Sequence, residues 1–138
     1  MGRINVKGVI IGGLVAGLVL NVIDYLVYGV WLAPELAAMQ RPGAPAMSSL
    51  IPLFVVLDFV YGIALIQLYA AIRPRFGAGP ATAIKAGIFV WVLVGLLHAI
   101  GEAPMGHMPQ RLYTIGTLVA LVEFPLAALA GARFYQEP

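Results

Sequence analysis

The chain has no cysteine, which excludes disulfides, thiolate metal sites and dithiol redox chemistry. It is also poor in charge: Lys, Arg, Asp and Glu make up 10% of its 138 residues, where soluble domains carry about 25%. An ordinary water-soluble domain is thereby excluded. The net charge of +2 is small, and the basic residues fall at the ends of the apolar runs, which suits orientation signals and not a nucleic-acid surface. A phosphate-binding glycine loop and a dinucleotide fingerprint are missing too. Ser48, Ser49, Thr82, Thr114 and Thr117 have no plausible base beside them, so no nucleophile is credible. The reading leans away from an enzyme, leaving open only acid–base chemistry by carboxylates.

What the chain does contain is apolar: 62% hydrophobic residues and a mean hydropathy of +0.96. At about 20 residues per span, the apolar runs predict four transmembrane helices, near 8–31, 50–72, 81–101 and 111–135. The expected fold class is therefore all-α integral membrane, a four-transmembrane-helix bundle forming a single domain over 1–138. Arg3 and Lys7 precede the first run as in a signal peptide. That run, however, outlasts the usual apolar core of about 7–15 residues and holds Asp24, which predicts a retained helix.

Prolines and glycines place the breaks. Pro34, Pro42 and Pro45 make 33–49 a connection, and Pro52 suits the first turn of the second helix. Arg73-Pro-Arg-Phe-Gly-Ala-Gly-Pro80 is the strongest boundary, and Pro125 predicts a kink beside Glu123. Trp31, Tyr113 and Tyr135 fall at helix ends, where interfacial anchors are expected. Gly8 and Gly12, and Gly13 and Gly17, have the G-x-x-x-G spacing that lets a helix approach closely, for internal packing or for a homo-oligomer contact.

Basic residues predict orientation. Arg3, Lys7, Arg73, Arg75, Lys85 and Arg133 gather at one end, against Arg41 and Arg111 at the other. Both termini are then expected in the cytoplasm, with the first and third connections in the periplasm of a bacterial cell inner membrane. Laying 17–34 on 87–104 brings Gly17 onto Gly87 and Tyr28 onto His98, and a neighbouring offset brings Asp58-Phe59 onto Glu123-Phe124. A helical hairpin repeated in parallel, about an axis along the membrane normal, is the expected origin.

The acids within the apolar runs, Asp24, Asp58 and Glu123, have no Lys or Arg at their depth. Each costs about 2.5–3.5 kcal/mol at a helix centre, so each should face the bundle interior. On a regular helix Asn21, Asp24, Tyr25 and Tyr28 share one stripe, as do His98 and Glu102, while Asp58 and Tyr61 stand three residues apart. Their depths allow one cavity in the half nearer the first and third connections.

Three readings of that constellation stand open. In one, Asn21, Asp24, Tyr25, Tyr28, Asp58, Tyr61, His98, Glu102 and Glu123 bind a cation or small amphiphilic ligand in an acidic, aromatic cavity open to the periplasmic side, with transport or proton coupling as extensions. In another, His98 and Glu102 join the carboxylates around a divalent metal, or Met39, Met47, Met105 and Met108 with His107 take Cu(I). In the last, protonated carboxyls bond to tyrosines and Asn21 and only hold the helices in register, as in a non-catalytic accessory subunit of a larger membrane complex. No cofactor is specified by any motif.

The segments Asn21-Val-Ile-Asp-Tyr, Leu57-Asp-Phe, Tyr69-Ala-Ala-Ile-Arg-Pro-Arg-Phe-Gly and Val122-Glu-Phe together make the chain resemble small four-helix bacterial inner-membrane proteins with no assigned activity. The resemblance covers most of the chain. It implies a location and an architecture, and no catalytic role.

Overall fold

The structure, a computed structural model, describes residues 3–137, and among these every regular element is helical. Four helical spans are long and apolar enough to cross a membrane: Val6–Trp31, Met47–Phe76, Pro80–Met105 and Gln110–Ala132. This is the architecture of a multi-pass membrane protein. The first and third connections lie at one end of the bundle, called here the loop end. The termini and the middle connection lie at the other, the terminal end.

Local chemistry accounts for the boundaries. Asn5 caps the first span, its side chain accepting from Gly8 N at 3.0 Å. The second span starts earlier and ends later than the prolines suggest. It continues through Pro74, which forgoes only the bond to the Ala70 carbonyl, and stops where Gly77 and Gly79 take φ values of +85° and +124°. Thr82 Oγ1 then donates to the carbonyls of Phe76 (3.2 Å) and Gly77 (2.7 Å), satisfying groups that the helix end leaves bare. The fourth span is helical through Pro125, beside Glu123.

The fourth span ends at Ala132, and Tyr135 folds back into the terminal end instead of anchoring at the interface. Only 3% exposed, it meets Tyr69 edge-on at 5.9 Å, and its hydroxyl accepts from Asn5 N at 3.3 Å. Asn5 Nδ2 donates to Gln136 O at 2.8 Å, so both ends of the chain are tied into one knot. Tyr113 is buried as well, whereas Trp31 is exposed as an anchor should be.

Small residues set how closely the spans approach. A Cβ built on Gly12 would lie 2.5 Å from Gly131 O, one on Gly13 2.5 Å from Ile63 Cα, one on Gly17 2.7 Å from Phe59 Cα and one on Gly87 2.6 Å from Pro125 Cα. The G-x-x-x-G spacings thus serve packing within the chain. Lipid tails are as apolar as leucine, so it is this close van der Waals contact that holds the spans together. Leu20, Leu65, Ile66, Ala86, Ala127 and Ala128 complete the buried core.

Toward the loop end the packing loosens. The backbone widens into π-helix at Tyr25–Trp31 and again at Trp91–Leu96, and residues 51–57 of the second span are exposed on every face. A hollow opens there between the spans, lined by Tyr28 and Tyr61 among others.

Candidate functional site

The tight contacts at Gly17 and Gly87 decide where the acids meet. Gly17 packs against the backbone of Asp58 and Phe59, and Gly87 against that of Phe124 and Pro125, so Asp58 and Glu123 both project just beyond the closest approach of their helices. Asp24 is the last residue of the α-helical part of the first span. Its carboxyl lies within hydrogen-bonding reach of both Asp58 and Glu123. Ionised carboxylates only accept hydrogen bonds, so two carboxyls bond each other directly only when one of them carries a proton.

Glu123 is 7% exposed, and its Oε2 is buried with no N–H or hydroxyl donor. Above it stands a partly open cavity of about 280 Å³ that runs from Leu20 and Asp24 to Leu36 and Met108, in the first and third connections. Tyr28, Tyr61 and Phe124 supply aromatic walls, Tyr61 meeting Phe124 edge-on at 6.1 Å, and His98 stands on the side of the third span. The lining contains no lysine or arginine. The Tyr28 hydroxyl crosses to the fourth span at Gly116, where a Cβ would come within 2.9 Å of it. Outside the lining, Trp91 Nε1 donates to Thr117 O at 2.9 Å, joining the third and fourth spans. Trp91→Phe should cost about 1 kcal/mol of stability, measured by denaturant titration in detergent.

The structure brings together Asp24, Tyr28, Asp58, Tyr61, His98 and Glu123 in this lining, and places three other expected residues outside it. Asn21 Nδ2 donates to Gly17 O (3.0 Å) and Val55 O (3.3 Å), tying the first span to the second. Tyr25, at the first position of the π-helix, is 67% exposed. A stripe drawn at regular α-helical spacing cannot be extended through the widened turns that follow. Glu102 turns to the loop end, where its Oε2 lies 3.3 Å from His107 Nδ1, so it makes no pair with His98 toward the cavity. Among the described residues, no three His, Asp or Glu side chains converge in a way suited to a metal ion. Met108 lines the cavity, but Met47 and Met105 are exposed.

Leu36 and Met108 were not among the expected lining residues. A signal for Leu36 was present: Pro34 followed by Glu35 is how a helix begins, and a short helix, Ala33–Ala38, does lie over the mouth. Glu35 pairs with Arg111 at the start of the fourth span, holding this helix across the cavity. Both side chains are exposed, so Glu35→Gln should alter global stability by less than about 1 kcal/mol. Faster amide exchange confined to the short helix is the expected local effect.

Compared with family models, with curated proteins and with solved structures, the chain finds no match.

Proposed function

We propose that the protein binds a small organic cation in this cavity, the positive charge taking the place of a proton shared among Asp24, Asp58 and Glu123. The observation that carries the reading is the buried Glu123 Oε2, with no N–H or hydroxyl donor, at the acidic floor of a cavity whose lining holds no lysine or arginine. Away from water, an uncompensated carboxylate costs several kcal/mol, and either a proton or a cation relieves that cost. The faces of Tyr28 and Tyr61 add cation–π attraction, which suits a poorly hydrated ammonium group better than a small metal ion. Exchange of proton for cation is the elementary step of a proton-coupled binder or transporter.

The lysines and arginines at the terminal end support cytoplasmic termini in a bacterial inner membrane, with the mouth toward the periplasm. The matching contacts of Gly17 with Asp58-Phe59 and of Gly87 with Phe124-Pro125 support a repeated hairpin, with one acid supplied by each copy's second helix. A second reading, an accessory subunit of a larger complex, draws on residues 51–57, which are exposed all round. Under that reading the acids only hold the helices together, and the protein co-purifies with partners after mild extraction.

Calorimetric titration of the detergent-solubilised protein with tetramethylammonium, alongside a pH dye in weak buffer, tests the leading reading. Saturable binding with release of a proton is expected. Absence of both heat and protons would sink it.

A further inference from the structure

A second hollow, of about 270 Å³, lies between the third and fourth spans on the outer surface of the bundle, at the level of the apolar spans. Leu96, Ile100 and Ala103 form one wall, Thr114 and Leu118 the other, with Ile100 and Leu118 well exposed. The threonines add no free polar group, because Thr114 Oγ1 donates to Gln110 O (3.0 Å) and Thr117 Oγ1 to Tyr113 O (2.7 Å). Apart from Gln110 at the loop end, the surface offered is one that methylene groups match.

This groove adjoins the acidic cavity. Ala99, Tyr113 and Thr117 line both. From Thr117 to Glu123 the fourth span rises about 9 Å, and from Gln110 to Leu118 about 12 Å. An apolar trough open to the bilayer therefore leads within a few turns of helix to buried acids, one of which has an oxygen with no donor. We infer that the ligand is a single-chain cationic amphiphile, a long-chain amine or quaternary ammonium, which enters from the bilayer with its chain in the groove and its head at Asp24, Asp58 and Glu123. The inference rests on the cation-binding reading and adds to it the ligand class and the route.

A chain already dissolved in lipid gains no hydrophobic energy on entering a groove that is equally apolar. Selection must come from the charged head, and the groove contributes position. The test therefore reads position. Dodecyltrimethylammonium bearing a terminal diazirine is photolysed with the full chain in vesicles of digalactosyldiacylglycerol, whose headgroup is uncharged, and the labelled peptides are mapped. Labels should concentrate on 96–103 and 110–118 and fall about tenfold with excess tetramethylammonium. Ala103→Phe, which fills the groove, should remove them while circular dichroism shows the helices intact. Labels spread over all four spans and indifferent to tetramethylammonium would overturn the lateral route. The calorimetric titration on the same preparation separates the two ideas. Bound tetramethylammonium with diffuse labels removes only the amphiphile, whereas no bound tetramethylammonium removes the cation site and the amphiphile with it.

Discussion

Replacing Gly62 with alanine should force the first two spans apart and cost about 3 kcal/mol, the upper end of what overpacking a core usually costs. A Cβ at this position would lie 2.8 Å from Gly17 Cα and still nearer to the Gly17 nitrogen and the Gly13 carbonyl oxygen. All of these are backbone atoms, so no side chain can swing aside to make room. Separation would also lengthen the Asn21 Nδ2 bond to Val55 O across the same interface, and it would draw Asp58 away from Asp24. Cation binding should weaken together with stability. Gly101→Ala is the matched control: it lies in a helix, a Cβ there meets nothing within 4 Å, and the change should stabilise by up to about 1 kcal/mol. Denaturant titration of both variants, followed by circular dichroism, decides the matter. Equal effects from the two would remove close packing as the organising principle of the bundle.

Glu123→Gln should leave the bundle folded and weaken tetramethylammonium binding by roughly ten- to a hundredfold, the factor expected when an interaction of about 1.5–3 kcal/mol with a charged group is lost. The amide keeps the side chain's shape and offers an N–H to Asp24, so the contact between the two spans survives while one negative charge goes. Asp24→Asn should weaken binding at least as much, because Asp24 reaches both other acids. Since the cation displaces a proton, binding by the wild type should strengthen as pH rises, and the pH dependence should flatten in Glu123→Gln. Were the acids only structural, the same substitutions would change stability or assembly, and no cation would respond to them.

Much of the site was legible because its cost was. A carboxyl in an apolar run has so few acceptable surroundings that the sequence points Asp24, Asp58 and Glu123 toward the bundle interior, and all three line one cavity. Residues cheaper to place were less legible. Asn21 and Tyr25 lie at the same depth as the acids, yet an amide finds a nearby carbonyl and a tyrosine tolerates the lipid-facing surface, so neither is compelled inward. Glu102 lies close enough to the loop end to find His107 instead. The Leu36 helix, the apolar groove and the return of Tyr135 depend on residues far apart in the chain, which no local pattern links.

By itself, the sequence determined that four segments are apolar and long enough to cross a membrane, roughly where they lie, and which side chains lipid would penalise. These follow from transfer energies that each segment carries with it wherever it is placed. The tertiary structure decided the rest: that the glycine spacings face inward, that the helices part beyond Gly17 and Gly87, and that three acids share one floor beneath an aromatic cavity beside an apolar groove. Those outcomes turn on which backbones approach to within a Cβ's width and which do not, a property of pairs of helices that neither helix carries alone.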